Sequence, residues 1–559
     1  MYELPVQIAI TVELLLLVAG SFLFENKKKY FILTVILGLL FSTPWFVRLA
    51  LSEETNFTDG LRYVVCSFCS AFFAQILFAY AARFKHWKIL SCILLTLLLF
   101  PSGTCFTFYI TNHAVFNVDA VIAIWQTNFK ELVEYIISYT NLTNFTLLFT
   151  SLAVIYFLFL RTAGNRIKLK NKKTALLLVL LIAINGLMYD AAVTNSISMV
   201  YHNAFKIVKE YRTFKHTKQQ RKENPAVAGL LKNVSSTAKN CSKGIYVLVI
   251  GESHNRDYMS AYGYPRENTP WLTQLNKNGE CLLFTHAFSC HTQTIPALSY
   301  ALTAKNQYNT TKLSDALSLL EVAKAAGYET AWLSNQIKYG MWDTPVSVIA
   351  AEADQQVWLN ECTGNTTITS VYDGELAKTL DTIKLKDNML IIIHLMGSHI
   401  NYDQRYPKEY NRFGTNTDEA AYCNSVLYTD NVLKNIYEKT AALPHFKAMV
   451  YFSDHASVPK DKLDHDSARF VSSMTHIPMF ICLSEEYTKQ NHGKTERLKT
   501  ARDLCFTNDL IFNLMLSLMG IELPQIYEKQ NDILSPAYNA KQERFRTSHG
   551  ERKIKVSEQ

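Results

Sequence analysis

Through its first 194 residues the chain repeats one pattern: an apolar run long enough to cross a ~30 Å hydrocarbon core, then a short polar break. Six such runs predict membrane-spanning helices at about 5–24, 30–51, 62–82, 88–109, 145–161 and 174–194. The fifth is only just long enough, which leaves an interfacial helix and five spans as the alternative. The first run follows Met1-Tyr2-Glu3-Leu4, which has no basic n-region, and no small-residue cleavage site comes after it. It is therefore expected to be a retained span rather than a signal peptide. Beyond about residue 195 the pattern changes: an amphipathic stretch at 196–225 gives way to short β-branched runs alternating with helix-length segments. That alternation predicts a parallel sheet covered by helices, with core strands at 245–250, 328–333, 389–394, 448–452 and 477–482. The expected organisation is a transmembrane helical domain over 1–195, an amphipathic linker at the membrane surface over 196–235, a globular α/β domain over 236–540 and a frayed polar tail over 541–559.

Lysines and arginines orient the spans. Lys27, Lys28 and Lys29 follow the first run, Arg83, Lys85 and Lys88 the third, and Arg161, Arg166, Lys168, Lys170, Lys172 and Lys173 the fifth. Short cytoplasmic loops are enriched in such residues, so these loops are expected inside and the cation-poor stretches 52–56 and 110–144 outside. With six spans everything after about residue 195 is exported, a length that buries a substantial core. In the linker Lys206, Lys209, Arg212, Lys215, Lys218, Arg221 and Lys222 interleave with Val200, Ala204, Phe205, Val208, Tyr211 and Phe214. The spacing suits a helix lying on lipid, with a solvated linker helix as the alternative.

Composition narrows the class. Of 559 residues, 56 are Lys or Arg against 48 Asp or Glu, a net charge of +8, and aromatics reach 12%. The apolar content excludes a disordered chain, and 20 Gly with 14 Pro exclude a collagen-like fibre. The surplus positive charge belongs to topology and anionic lipid, so no nucleic acid is expected as a partner. The exported part holds Cys241, Cys281, Cys290, Cys362, Cys423, Cys482 and Cys505, an odd number, so at least one is free or intermolecular. Cys482, inside an apolar strand, is expected as a buried thiol.

Three of the expected strands end in groups that bind metals. Gly251-Glu252 follows the first, His394 and then Gly397-Ser398-His399 end the third, and Ser453-Asp454-His455 follows the fourth. In open α/β sheets the ligand site lies beyond the carboxyl ends of the strands, so these side chains are expected to converge. Glu, Asp and neutral His are zinc ligands, and no paired cysteines at short spacing mark a structural site in the exported part, so a catalytic zinc is expected. The nucleophile candidates lie in Ser289-Cys290-His291-Thr292-Gln293-Thr294-Ile295-Pro296, a hydroxyl-rich turn leading into a helix-like segment. A hydroxyl at a helix N-terminus beside a dication can lose its proton and sits among N–H donors suited to phosphate. These residues alone leave Thr292 and Thr294 both open, and an ordinary helix cap is the bland alternative.

Val249-Ile250-Gly251-Glu252-Ser253-His254-Asn255-Arg256 and Tyr262-Gly263-Tyr264-Pro265-Arg266-Glu267-Asn268-Thr269-Pro270 resemble the signature of the bacterial phosphoethanolamine transferases. These are lipid A and lipopolysaccharide-core modifying members of the alkaline phosphatase/sulfatase superfamily. His394-Leu395-Met396-Gly397-Ser398-His399, Arg405-Tyr406-Pro407, Ser453-Asp454-His455 and His476-Ile477-Pro478-Met479 match in the family's order. The resemblance spans nearly the whole chain and implies an α-helical transmembrane domain followed by an α/β periplasmic domain of alkaline phosphatase/sulfatase-like fold. It implies a multi-pass protein of the bacterial inner membrane whose catalytic domain lies in the periplasm. It also implies a zinc ion held by Glu252, Asp454 and His455, with Thr294 as the remaining ligand and the nucleophile. His394, His399 and His465 correspond to family histidines near the phosphate or a second zinc. The implied reaction moves phosphoethanolamine from phosphatidylethanolamine to an envelope glycolipid, a lipopolysaccharide core sugar or lipid A, through a covalent threonine intermediate.

Two departures bear on the acceptor. Asp454-His455-Ala456-Ser457 replaces the Asp-His-Gly-Glu frequent in lipid A-modifying members, and Cys290-His291-Thr292 replaces their Cys-Gly-Thr. Both lean toward a sugar-directed branch. A phosphoglycerol transferase of the same fold is the first alternative, and a catalytically inactive membrane sensor or binding protein the second. A sulfatase's Cys-x-Pro-x-Arg does not fit the sequence from Cys290 to Thr294.

Overall fold

A computed structural model describes residues 17–18, 21–51, 57–112, 116, 121, 142–162, 164–165, 167, 196–221, 229–234, 244–337, 345–360, 371–461, 463 and 469–554. The chain divides into two compact units, Met1–Lys209 and Glu210–Gln559.

In the first unit α1 (Lys27–Phe41) and α2 (Thr43–Ala50) form a pair bent by 52° where one span was expected over 30–51. The bend has a local cause. The Ser42 hydroxyl donates to the Gly38 carbonyl at the end of α1, and Pro44 stands in the first turn of α2, where a missing N–H costs nothing. Helices α3 (Phe57–Ala81) and α4 (Trp87–Asn112) each contain a stretch long and apolar enough to cross a bilayer, and the bent pair makes a third if counted as one span. Helix α5 (Leu142–Thr162) covers the fifth expected run. The sixth, 174–194, and most of the first, 5–24, lie outside the described residues. Lipid tails are as apolar as leucine, so polar pairs add cohesion between such helices. Gln75 of α3 is buried and donates to Thr34 Oγ1 at 2.6 Å and to the Tyr30 carbonyl at 3.2 Å, both in α1.

Helix α6 (Ser196–Arg221) contains most of the basic stretch. One member of that stretch departs from the expected lipid-facing array. Lys218 is buried, with Nζ 2.8 Å from both Glu321 Oε2 and Glu352 Oε1, the pairing that a buried ammonium requires.

The second unit is built on a seven-stranded sheet. Its strands are β1 (Ile245–Gly251), β2 (Cys281–Leu283), β3 (Glu329–Ile337), β4 (Gln355–Asn360), β5 (Met389–His394), β6 (Phe446–Ser453) and β7 (Met479–Leu483), in the order β2-β7-β6-β1-β5-β3-β4. Neighbours from β6 through β1, β5 and β3 to β4 are parallel, while β7 runs antiparallel to β6, and β2 to β7. Every residue of β1, β5 and β6 is buried, which explains why these strands read as unbroken apolar runs. Successive side chains serve opposite cores. Tyr246, Leu248 and Ile250 join α8 (Thr294–Ala301), α9 (Leu319–Ala325) and α11 (Ile511–Met519) on one face. Ile245, Val247 and Val249 join α7 (Pro270–Asn278) and α10 (Asp418–Ala441) on the other.

Three expectations need correction. The strand expected at 477–482 forms as β7 but runs antiparallel, and the edge strands β2 and β4, one very short and one half polar, had no apolar run to mark them. Cys482 is not a thiol: β2 brings Cys281 opposite it, Cα to Cα 4.2 Å, and the two form a disulfide across 201 residues of chain. The C-terminal tail does not fray over 541–554, where Phe545 is fully buried and Arg546–Thr547 pairs with Arg552–Lys553 in an antiparallel hairpin.

The disulfide closes a very long loop. Replacing both partners, Cys281→Ser with Cys482→Ser, is expected to cost about 2–4 kcal/mol of stability. A denaturation midpoint equal to that of the oxidised wild type would contradict this.

Candidate metal centre and nucleophile

Because β1 lies between β5 and β6, the residues that end these three strands meet at one edge of the sheet. The register sets Ile250 beside His394 and Gly251 beside Ser453. Glu252, Asp454 and His455 follow directly, almost wholly buried, and offer ligand atoms that all lie within 4.8 Å of one another. His455 Nε2 is 3.2 Å from Glu252 Oε1 and 3.5 Å from Asp454 Oδ2.

The backbone aims these side chains. Asp454 Oδ1 accepts the N–H of Ser253 at 3.1 Å and that of His455 at 2.7 Å, so Oδ2 is the oxygen turned toward His455. The Asp454 N–H in turn donates to the Gly251 carbonyl at 3.1 Å, which locks the two strand ends together. Burial, and then the Glu252 carboxylate, push the Asp454 carboxyl up to about 7. Two carboxylates and an imidazole nitrogen, desolvated and in mutual reach, are a donor set that fits a zinc-sized dication.

Thr294 opens α8 at the mouth of this cluster. Its Oγ1 donates to Glu252 Oε2 at 3.1 Å and lies 3.4 Å from His455 Nε2. Thr294 is half-buried, whereas Thr292 is completely buried. Of the two hydroxyls left open by the residues alone, Thr294 bonds to Glu252 and is the less buried. Cys290 is fully buried, its Sγ faces the Ala297 carbonyl at 3.9 Å, and burial raises its thiol well above the ordinary range. A sulfatase-type nucleophile has no place there.

The histidines are treated unequally. His394 is buried at the end of β5, edge-on to Trp332 with centroids 6.0 Å apart, and burial lowers it to about 3, so its ring is neutral at ordinary pH. A neutral imidazole of this kind offers one N–H donor and one lone pair. His399 is half-buried in the loop after β5, where its carbonyl accepts from Arg405 Nε at 3.2 Å. His465 lies outside the described residues.

Other residues matter that no motif announced. Asn508 Nδ2 donates to the Asp454 carbonyl at 2.7 Å and its Oδ1 accepts the Cys290 N–H at 2.9 Å, tying a metal-ligand candidate to the threonine turn. Asp373 takes the N–H groups of Met396 and Gly397, each at 2.8 Å, and so shapes the loop that rests on Glu252. That loop comes very close: Gly397 holds φ +54°, and a Cβ there would stand 2.5 Å from the Glu252 carbonyl oxygen. Polar residues such as these occur throughout the chain, and only the fold distinguishes them.

Comparison with known proteins shows what the whole chain resembles. The Sulfatase family matches residues 245–521. Phosphoethanolamine transferase EptC of Escherichia coli (strain K12) is 29% identical over 440 residues, covering 72% of this chain and 75% of that protein. The C-terminal periplasmic domain of Escherichia coli EptC superposes with a TM-score of 0.50 at 26% identity, over 56% of this chain and 92% of that one. The integral membrane lipooligosaccharide phosphoethanolamine transferase A (EptA) of Neisseria meningitidis shares the fold over 90% of this chain and 97% of its own, with a TM-score of 0.56 and 19% identity.

Two measurements test the cluster. Asp454 must lose its proton to ligate a metal, and its carboxyl stands near 7 without one. Zinc affinity by titration calorimetry is therefore expected to fall about tenfold per pH unit below 7. An affinity flat from pH 7.5 to 5.5 would count against the assignment. Because the raised carboxyl adds stability only while protonated, the chelated protein gains stability as pH drops from 8 toward 5, and zinc raises Tm most at the alkaline end. Gly397→Ala, which crowds Glu252, is expected to weaken zinc binding by about 10–100-fold with the fold retained.

Proposed function

Since this chain belongs to the alkaline phosphatase/sulfatase superfamily and, within it, to the phosphoethanolamine transferases, it is an enzyme, and we propose that it moves phosphoethanolamine from phosphatidylethanolamine to an envelope glycolipid. The observation that carries this reading is the hydrogen bond from Thr294 Oγ1 to Glu252, at the mouth of a buried Glu-Asp-His cluster. We place the catalytic domain in the periplasm of a bacterial cell and the apolar helices in its inner membrane. The acceptor in this proposal is a lipopolysaccharide core sugar or lipid A.

Glu252, Asp454 and His455, together with Thr294, are the residues that would hold a zinc ion. The metal, when bound, supplies the Lewis acidity that lowers the pKa of the threonine hydroxyl. Thr294 Oγ1 attacks phosphorus, the bond to the diacylglycerol oxygen breaks and that oxygen leaves with the proton the threonine gives up, and phosphoethanolamine stays on the threonine. At the start of α8 Pro296 has no N–H and Ala297 donates to the Gln293 carbonyl at 3.1 Å, so Thr294 and Ile295 carry the backbone N–H groups without an intrahelical acceptor, near where charge develops on the phosphoryl oxygens. An acceptor oxygen attacks in the second step and restores the free hydroxyl. His394 and His399 stand on the strand end and loop beside Glu252, positions from which an imidazole serves the phosphate, and His465 keeps the same proposed role.

The test takes the full-length protein in detergent with zinc and fluorescent phosphatidylethanolamine, and follows lipid product and intact mass for wild type and Thr294→Ala. Labelled diacylglycerol and a phosphoethanolamine adduct on Thr294 are expected, both absent from the variant. An adduct on Thr292 would displace the nucleophile, and turnover of phosphatidylglycerol in place of phosphatidylethanolamine would make the enzyme a phosphoglycerol transferase.

A further inference from the structure

The residues beyond the family-matched region return to the nucleophile. Phe545 is fully buried, and Gln307 Nε2 donates to the Arg546 carbonyl at 2.9 Å, anchoring the start of the C-terminal hairpin. At its tip Ser548 (φ 51°), His549 (φ 52°) and Gly550 (φ 98°) all hold left-handed backbone, which residues with a Cβ adopt rarely and in succession more rarely still. That conformation folds His549 back onto the turn bearing Thr294. Its backbone N–H donates to the Cys290 carbonyl at 3.2 Å, and its Nε2 lies 3.2 Å from the Pro296 carbonyl oxygen. The ring stacks flat on Tyr300, centroids 3.8 Å apart and planes within 1°, and packs against His291 at 4.9 Å.

One residue therefore bonds to the carbonyls on both sides of Thr294. Left-handed non-glycine residues persist only where surrounding contacts over-determine them, and here those contacts are the threonine turn itself. We propose that His549 is a positioning residue for the transfer reaction: it clamps both flanks of the Thr294 turn and holds Oγ1 in its aim at Glu252 and His455. The inference rests on the reaction proposed above. Donation to Pro296 requires the hydrogen on Nε2, so the neutral ring carries it there. The clamp acts on backbone carbonyls of the turn, whereas three of the four proposed zinc ligands, Glu252, Asp454 and His455, come from the ends of β1 and β6, so its loss disturbs the nucleophile and would leave zinc held by those three. Misplacing a reacting atom by about 1 Å costs rate on the order of 100-fold, so a loosened turn shows in kcat before it shows in binding.

The full-length protein in detergent, as wild type, His549→Ala and His549→Gln, tests this with two readouts. Hydrogen–deuterium exchange over 289–298, measured without lipid, does not depend on turnover. Steady-state kinetics with zinc and fluorescent phosphatidylethanolamine gives kcat and KM. In His549→Ala, exchange over 289–298 is expected to rise with 245–251 and 446–453 unchanged, and kcat to fall at least about tenfold with KM and zinc affinity kept. His549→Gln, whose amide can donate to the Pro296 carbonyl, is expected to recover part of both. Unchanged exchange over 289–298 overturns the proposal, as does faster exchange with wild-type kcat or a parallel loss of zinc affinity. If the wild type itself releases nothing from phosphatidylethanolamine, the transfer reading fails, and the exchange readout alone decides whether His549 holds the turn.

Discussion

Two carboxylates buried against each other are the constraint on which the catalytic domain depends. Glu252 and Asp454 are almost completely shielded from water and share His455 as a neighbour. At an effective dielectric of about 20, like charges ~4 Å apart repel by about 4 kcal/mol, a large fraction of a domain's net stability. The protein lessens this by raising Asp454 to about 7 and by turning the amides of Ser253 and His455 onto its inner oxygen. Neutral amides soften the charge without cancelling it. A dication cancels it and uses the same three atoms as ligands, which is why an arrangement so unfavourable alone is sensible as a metal centre.

Such a cluster works only if its members cannot relax apart, and the surrounding polar network prevents it. From the sheet edge inward, Asn360 of β4 donates to Asn335 of β3, Asn335 donates to Asp373, and Asp373 holds the amides of the loop whose Gly397 touches Glu252. On the other side Asn508 joins Asp454 to the turn before Thr294. Desolvation raises the Asp373 carboxyl, while its bonds to Met396, Asn335 and Gly397 pull the other way. Buried networks of this kind are costly when half satisfied and rigid when complete. Both halves of the proposed site, ligands and nucleophile, are thereby tied to the residues that end the central strands.

What the sequence revealed follows from where burial is complete. Strands β1, β5 and β6 stood out because central parallel strands are apolar on both faces, and their polar endings stood out against those runs. Glu252, Asp454 and His455 were legible for that reason, and Thr294 only by family resemblance, since its neighbour Thr292 is equally hydroxylic. The edge strands β2 and β4 were not legible, being short or half polar, and with β2 went the Cys281–Cys482 pairing, which exists only because an antiparallel register sets the two side by side. Asn508, Asp373 and His549 are ordinary polar residues far along the chain from the groups they serve. No local period or spacing encodes such contacts, because tertiary structure creates them. Lys218 shows the opposite error: it fits a basic face by spacing, yet two glutamates bury it.

Burial is also divided unequally within the cluster, and that division suits the proposed transfer between two lipids. Glu252, Asp454 and His455 are at most 1% exposed, while Thr294, bonded to the first of them, stays half open. In the proposed reaction a covalent intermediate on Thr294 is approached twice, once by the donor and once by the acceptor, so the nucleophile is the group that gains from exposure, and the proposed ligands gain from the low dielectric that strengthens their hold. Substrates embedded in a bilayer never reach useful concentration in water. A chain that carries its own apolar helices meets them in the same two-dimensional phase, where tethering raises the encounter frequency without any new contact at the site.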